Sequence, residues 1–163
     1  MKNQTSNQGI PTTSGLIPAI VLTGLLAGTW DILAAFTHAF VANETTPIRV
    51  LQFIASKAVG PDAFSGGVPM ALLGLFFHYV IAFSWTTLFF LLYPRLRFLS
   101  GNKIIVGLGY GVFVWLMMSF VVLPIVNGAF QPFHLQSVVG IVILMFCIGL
   151  PISWMAAKYY SRR

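Results

Sequence analysis

Two ionisable residues inside long apolar runs mark where this chain could do chemistry. Asp31 is the only acidic residue in any of the four runs, within GTWDILAAF, and His78 lies in the second run, within GLFFHYVIAFSW. An aspartate at the centre of a membrane-spanning helix costs about 2.5–3.5 kcal/mol on insertion scales, so such residues are usually paired and often mark ion or proton paths. The pair therefore predicts either a proton relay or a structural contact that fixes helix register.

Helical spacing places these two side chains on faces of similar character. At 100° per residue, one face of the first run is small and polar. Its members are Gly24, Gly28, Asp31, Ala35 and His38. The matching face of the second run consists of Ala71, Gly74, His78, Ala82 and Trp85. Because Asp31 and His78 lie at about 13.5 and 15 Å from the same end of antiparallel helices, we predict that they meet directly or through one water.

The remaining candidate ligands predict no metal, cofactor or catalytic site. His38 is either the next step of a proton path or an interfacial histidine. It differs from His78 by about 12 Å in depth, which is wrong for two axial ligands of one haem iron. His134 in the loop NGAFQPFH has no second ligand near it in sequence, and the lone Cys147 cannot form an internal disulfide. No nucleophile or paired-carboxylate motif is present, so we expect no enzyme.

The composition favours lipid as the solvent of the whole chain. Hydrophobic residues make up 58% of the 163 residues and charged residues 7%, against about 45–50% and about 25% in soluble domains. The apolar runs cover about residues 15–40, 68–93, 104–126 and 135–157. Each is long enough to cross a bilayer as a helix, so we predict an all-α protein with four transmembrane helices in a compact bundle. Residues 1–14 are expected to be a flexible cytoplasmic tail, and residues 15–160 a single domain.

Positive charge predicts the orientation of the spans. Seven Lys and Arg residues fall in the two termini and the central loop PRLRFLSGNK, whereas only Arg49 and Lys57 fall on the other side. The excess places both termini in the cytoplasm. The positive charges lie at the ends of apolar runs rather than in a stripe, so nucleic acid is not an expected partner. The first run is too long for a cleaved signal peptide.

The first external loop predicts an additional amphipathic helix over 47–59, with Thr46 as N-cap and Pro47 in the first turn. Its predicted apolar arc is Val50, Leu51, Ile54, Ala55 and Ala58. Its predicted polar arc is Arg49, Gln52 and Ser56. Such a helix either lies in the interface and covers the end of the bundle, or serves as a lid or docking surface.

Glycines and prolines predict how the helices pack and bend. The residues expected to allow close helix approach are Gly24, Gly28, Gly74, Gly107 and Gly111. Pro151 lies inside the fourth run and predicts a kink there. A shift of 69 residues lays Ser84–Trp85 on Ser153–Trp154, a weak indication of a parallel repeat of two helical hairpins.

Several segments resemble a set of small bacterial inner-membrane proteins of unknown function. They are GTWDILAAF, PIRVLQFIASKAVG, AFSGG, GLFFHYVIAFSW and FVVLPI. The layout over about residues 15–160 also resembles that of YagU-like proteins, with four spans, a long first external loop and a basic central loop. The resemblance implies a compartment and a topology. It carries over no catalytic residues, and Leu144 stands where a histidine would have given the fourth helix an intramembrane imidazole.

Two functions are compatible with these features. The first is a non-enzymatic membrane protein that acts through helix-mediated association with itself or with a membrane partner. The alternative is a small proton-coupled transporter or channel that uses Asp31 and His78. A lipid-modifying or redox enzyme lacks candidate residues. In each case the lipid bilayer is the expected environment.

Overall fold

The computed structural model describes residues 15–128 and 135–161, and these residues form helices and turns without a β-strand. The predicted tail and His134 lie outside the described residues. The helical order is α1 (Leu16–Asn43), α2 (Pro47–Val59), α3 (Gly67–Leu92), α4 (Lys103 to Asn127) and α5 (Leu135 to Tyr160). Short 3-10 turns at Pro61–Phe64 and Arg97–Ser100 join α2 to α3 and α3 to α4.

Four helices in the described part of the chain are long and apolar enough to cross a membrane. They are Leu16–Asn43, Gly67–Leu92, Lys103–Val126 and Ser137–Tyr160. The all-helical fold class and the four long apolar helices predicted from the sequence are therefore confirmed. The first helix runs past the predicted end at residue 40 and stops where Glu44 adopts a left-handed conformation (φ 52°), with its N–H donating to the carbonyl oxygen of Phe40.

α4 and α5 share an unusual interruption. Each contains a five-residue π-helical segment, Met118–Val122 in α4 and Met145–Gly149 in α5. Each segment is followed directly by Leu-Pro, so that Pro124 and Pro151 sit in the first turn of the α-helix that resumes. A proline has no N–H to donate, and a π-helical turn is one way for a helix to accommodate it. The π-helical segment of α5 ends two residues before Pro151, and the kink predicted there stays a prediction.

Glycines bring the backbones of α4 and α5 together. A Cβ atom on Gly107 would lie 2.9 Å from Cα of Leu150, and one on Gly111 would lie 2.6 Å from the backbone nitrogen of Met145. Gly149 on α5 faces Gly107 in return. Backbone atoms cannot move aside as a side chain can, so only glycine fits at these positions.

The first and third helices also meet through small residues. A Cβ atom on Gly28 would lie 3.1 Å from Cβ of Ala82, and Gly24 packs against the Phe83 ring. The Thr29 hydroxyl and the Tyr79 hydroxyl are hydrogen-bonded at 2.8 Å across the same contact. The face of α1 chosen from its small residues is therefore the face that α1 turns toward α3.

A solid core fills the half of the molecule away from α2. Phe89, Phe90 and Ile152 are fully buried there, and the rings of Phe89 and Tyr110 meet edge to face at 4.7 Å. The Tyr110 hydroxyl donates to the Trp85 carbonyl oxygen at 2.7 Å. Large side chains thus interlock around the glycine contacts and leave this half closely packed.

α2 has the predicted bounds and cap, but one residue of its predicted polar arc is buried against its neighbours. Thr46 accepts a hydrogen bond from the Arg49 N–H, as an N-cap should. Gln52, predicted to lie on the solvent arc, is instead buried and donates to the carbonyl oxygen of Gly67 at 3.1 Å. The reason is Gly74 on α3, whose missing side chain lets the α2 backbone dock at Leu51. This docking turns Gln52 inward, where the Gly67 carbonyl satisfies its amide.

Candidate functional site

A cavity of about 680 Å³ lies between α2 and the middle of the four long helices. All five helices contribute to its wall, and α2 forms its roof. The wall is mainly aliphatic. Its aromatic members are Phe53, Phe77, Trp85 and Trp115. Its members with charged, imidazole or hydroxyl groups are Asp31, Lys57, His78, Ser119 and Ser137.

Asp31 reaches the cavity because α1 is held against α3 by its glycines. Gly28 lies one turn before Asp31 and packs on Ala82 and Tyr79. That contact orients the small, polar face of α1 toward the interior, and the carboxyl of Asp31 emerges in the wall, half-buried. Ala35, one turn further along the same face, also lines the cavity. The position of Asp31 therefore follows from helix packing rather than from a local turn or loop.

His78 is fixed by a hydrogen bond to the backbone of the neighbouring helix. Its Nε2 lies 2.8 Å from the carbonyl oxygen of Gly28. A carbonyl oxygen can only accept, so Nε2 carries the hydrogen and donates it. The ring is further held edge to face against Tyr79, with the centroids 5.4 Å apart. In the neutral imidazole this tautomer leaves Nδ1 as an acceptor.

The structure brings Asp31 and His78 to the same cavity wall without bonding them to each other. Within the described residues no hydrogen bond joins the two side chains, because the imidazole uses the carbonyl of Gly28 instead. The carboxyl of Asp31 does lie within electrostatic range of the His78 ring. A bridge through a single water stays a prediction. The arrangement supplies one group that can carry negative charge and one that can exchange a proton.

The other predicted site residue, His38, is not part of the cavity wall. It lies on α1 about two turns beyond Asp31 and is half-buried. Its role as a second step of a proton path stays a prediction. No three His, Cys, Asp or Glu side chains come together as a metal site within residues 15–128 and 135–161.

Lys57 is a functional candidate that the sequence reasoning missed. It lines the cavity from α2, and its Nζ lies 4.3 Å from the centroid of the Phe53 ring. Burial lowers the pKa of this lysine from its usual value. Helical spacing carried the signal, because Lys57 follows Ile54 by three residues and precedes Ala58, both assigned to the apolar arc. Because Lys57 lies on the apolar arc, its side chain faces the cavity.

Trp115 and Ser119 were also missed, since helix α4 offered no intramembrane charge to draw attention to them. Both lie close to or within the π-helical segment Met118–Val122 and line the cavity. The indole of Trp115 packs toward α5, with its Nε1 3.7 Å from where a Cβ on Gly140 would lie. π-Helical turns are often found at functional sites, and this one borders the cavity.

Comparison with known proteins gives no relative from which a function could be transferred. No family model, no curated protein and no solved structure matches this chain. The resemblance to small bacterial inner-membrane proteins stays a prediction, and the functional argument depends on the cavity alone.

Proposed function

We propose that this chain is an integral protein of the bacterial inner membrane and acts as a small proton-coupled transporter or channel. In this proposal the four long helices span the bilayer as a bundle, with both termini in the cytoplasm and α2 on the external side. The observation that carries the proposal is the cavity, which holds Asp31 and His78 about midway along their helices beneath the roof formed by α2. Ionisable residues buried within membrane-spanning helices often mark ion or proton paths, and this cavity holds two of them.

The chemistry of the pair supports proton exchange. Asp31 accepts or releases a proton at its carboxyl, and the imidazole of His78 does so at Nδ1 while Nε2 stays bonded to Gly28. Lys57 on the roof is a third charged group that faces the same space. Protonation of the carboxylate removes the charge that lipid and an apolar wall penalise most, so proton binding and solute binding at this site are coupled.

The proposal predicts a proton current that depends on Asp31. Purified protein is reconstituted into liposomes that contain a pH-sensitive dye, and a membrane potential is imposed with potassium and valinomycin. We expect Asp31→Asn to abolish the protein-dependent pH change, because the amide keeps the size and hydrogen bonding of the side chain but does not titrate.

The matched control is Asp62→Asn, which makes the same chemical change in the 3-10 turn after α2, away from the cavity. It should leave the current at the wild-type rate. An equal current in the wild type and in Asp31→Asn, with both folded, would show that Asp31 is no relay. Circular dichroism of the same liposomes establishes that the variants are folded.

Association with a second copy or a membrane partner receives less support. The five glycines predicted to allow close helix approach all pack inside the chain, Gly24 and Gly28 against α3, Gly74 against α2, and Gly107 and Gly111 against α5. They are therefore not available as a surface for another helix. Self-association stays a prediction, and native mass spectrometry in mild detergent measures it.

A further inference from the structure

The cavity has the size and lining of a small-molecule site. Its volume of about 680 Å³ falls within the range of about 300–1,000 Å³ that drug-sized ligands occupy. Its wall is apolar except for a few polar groups, which is the usual pattern in such sites. A ligand that fits this lining must be largely apolar itself, since a strongly hydrated solute would lose its water without replacement.

Two groups of the wall, the carboxylate of Asp31 and Nδ1 of the neutral His78 ring, accept hydrogen bonds or attract positive charge. Asp31 is the only carboxylate in the wall, and it makes no hydrogen bond within the described residues. The donor of the His78 ring is already used by the Gly28 carbonyl, so the ring offers the cavity an acceptor. A positively charged ligand is attracted by the Asp31 carboxylate in this part of the wall, whereas an anion is repelled by that carboxylate.

The aromatic part of the wall favours the same sign of charge. Trp85 and Trp115 line the cavity, and each indole is held edge to face by a phenylalanine, Phe113 at 5.9 Å and Phe120 at 6.1 Å respectively. An indole face attracts an organic cation more strongly than any other aromatic side chain does. Indoles fixed in this way need little reordering when a ligand binds.

The roof shows that such a contact forms in this wall. Lys57 places its alkylammonium group 4.3 Å from the centroid of the Phe53 ring. Burial also lowers the pKa of this lysine from its usual value. Lys57 is the one cationic side chain of the described wall, so it opposes a bound cation and favours a bound anion.

We propose that the cavity binds a lipophilic monovalent cation, an organic ammonium or phosphonium, with its charge toward Asp31 and its apolar groups against Trp85 and Trp115. This inference rests on the proposed function, since it names the solute class for the same site. The positive charge of Lys57, located on the roof, then lowers the affinity for cations. Asp31 attracts the ligand that Lys57 repels.

The test uses two probes that match in shape and differ in charge, tetraphenylphosphonium and tetraphenylborate. Binding to the full-length protein in nanodiscs of neutral lipid is measured by calorimetry, with empty nanodiscs subtracted. We expect saturable binding of the phosphonium, weakened about tenfold or more by Asp31→Asn, the effect of losing one partly desolvated charge contact. Lys57→Gln should tighten phosphonium binding, and Asp62→Asn should leave it unchanged.

Several results would overturn the inference: equal binding of both probes, tighter binding of the borate, or phosphonium binding that neither Asp31→Asn nor Lys57→Gln alters. Asp31→Glu keeps the charge and should retain binding, which separates loss of charge from loss of fold. If Asp31→Asn does not fold, the preference for the phosphonium and the effect of Lys57→Gln decide the question.

Phosphonium binding without a proton current in the liposome assay would refute the proposed function and leave this assignment standing. A proton current with no phosphonium binding would refute this assignment and leave the proposed function standing.

Discussion

The two halves of the molecule are built from the same four long helices and pack in opposite ways. Away from α2, glycines bring α4 and α5 into backbone contact, and fully buried Phe89 and Phe90 fill the centre. Beneath α2, the same helices enclose a cavity of about 680 Å³. The same helices are therefore closely packed in one half and leave space in the other.

Particular residues cause that difference. Gly107 and Gly111 remove the side chains that would hold α4 away from α5. One turn beyond Gly111, Trp115 occupies the space between the same two helices, near Gly140. The π-helical segments Met118–Val122 and Met145–Gly149 lie where the solid half gives way to the cavity. An indole therefore lies between the two helices beside the cavity, whereas Gly107 and Gly111 lie between them in the closely packed half.

A large effect on stability is expected when a methyl group is placed between α4 and α5. Gly111→Ala should lower the free energy of unfolding by about 3 kcal/mol, because its Cβ would meet backbone atoms of Met145 that cannot move aside. Gly109→Ala is the matched control, two residues away on the same helix, with nothing within 4 Å of the added carbon. It should leave stability unchanged or raise it by up to about 1 kcal/mol. Reversible unfolding in mixed SDS micelles, followed by circular dichroism, measures both. Equal effects of the two alanines would remove the basis for the packing argument.

A second test makes one substitution in each half. Phe89→Ala should lower the free energy of unfolding by about 3 kcal/mol, since the fully buried ring leaves a void that its neighbours cannot fill. Phe77→Ala enlarges a cavity that already exists, so it should lower the free energy of unfolding by less than about 0.5 kcal/mol. The same unfolding assay compares the two. A larger loss at Phe77 than at Phe89 would mean that the cavity is closed in the membrane.

A third test, with a smaller expected effect than Gly111→Ala or Phe89→Ala, is made at the roof. Gln52→Ala removes the hydrogen bond to Gly67, worth about 1 kcal/mol, and leaves that carbonyl without its side-chain donor. Hydrogen exchange, read by mass spectrometry, should speed up in α2 and stay unchanged in α4. Exchange that rises equally in both helices would show that α2 is not a separately opening element.

The sequence was sufficient to predict the elements. Long apolar runs predict the four helices, since nothing else in the chain competes with helix in such stretches. Thr46, Pro47 and Gly60 predict the bounds of α2, because caps act locally. The face of α1 was predicted correctly as well, from Gly24 and Gly28, as small residues are where helices approach each other.

The site itself was only partly predictable. Asp31 and His78 were singled out because charge in an apolar run is rare, but the Gly28 carbonyl as the partner of His78 has no signature in sequence. Every residue has a backbone carbonyl oxygen, so the residue type does not indicate which carbonyl will accept the hydrogen bond from His78. The burial of Gln52 results from the docking of α2 on Gly74 of another helix. Such tertiary contacts override the arc that helical periodicity assigns to an isolated segment.

The glycine beneath α2 also determines how the roof can move. At Gly74 the backbone of α2 rests directly on the backbone of α3, with no side chain between them to act as an adjustable spacer. Rotamer changes therefore cannot raise the roof by small steps. Lifting α2 from α3 separates two backbones, so we expect the roof to move as one helix rather than residue by residue.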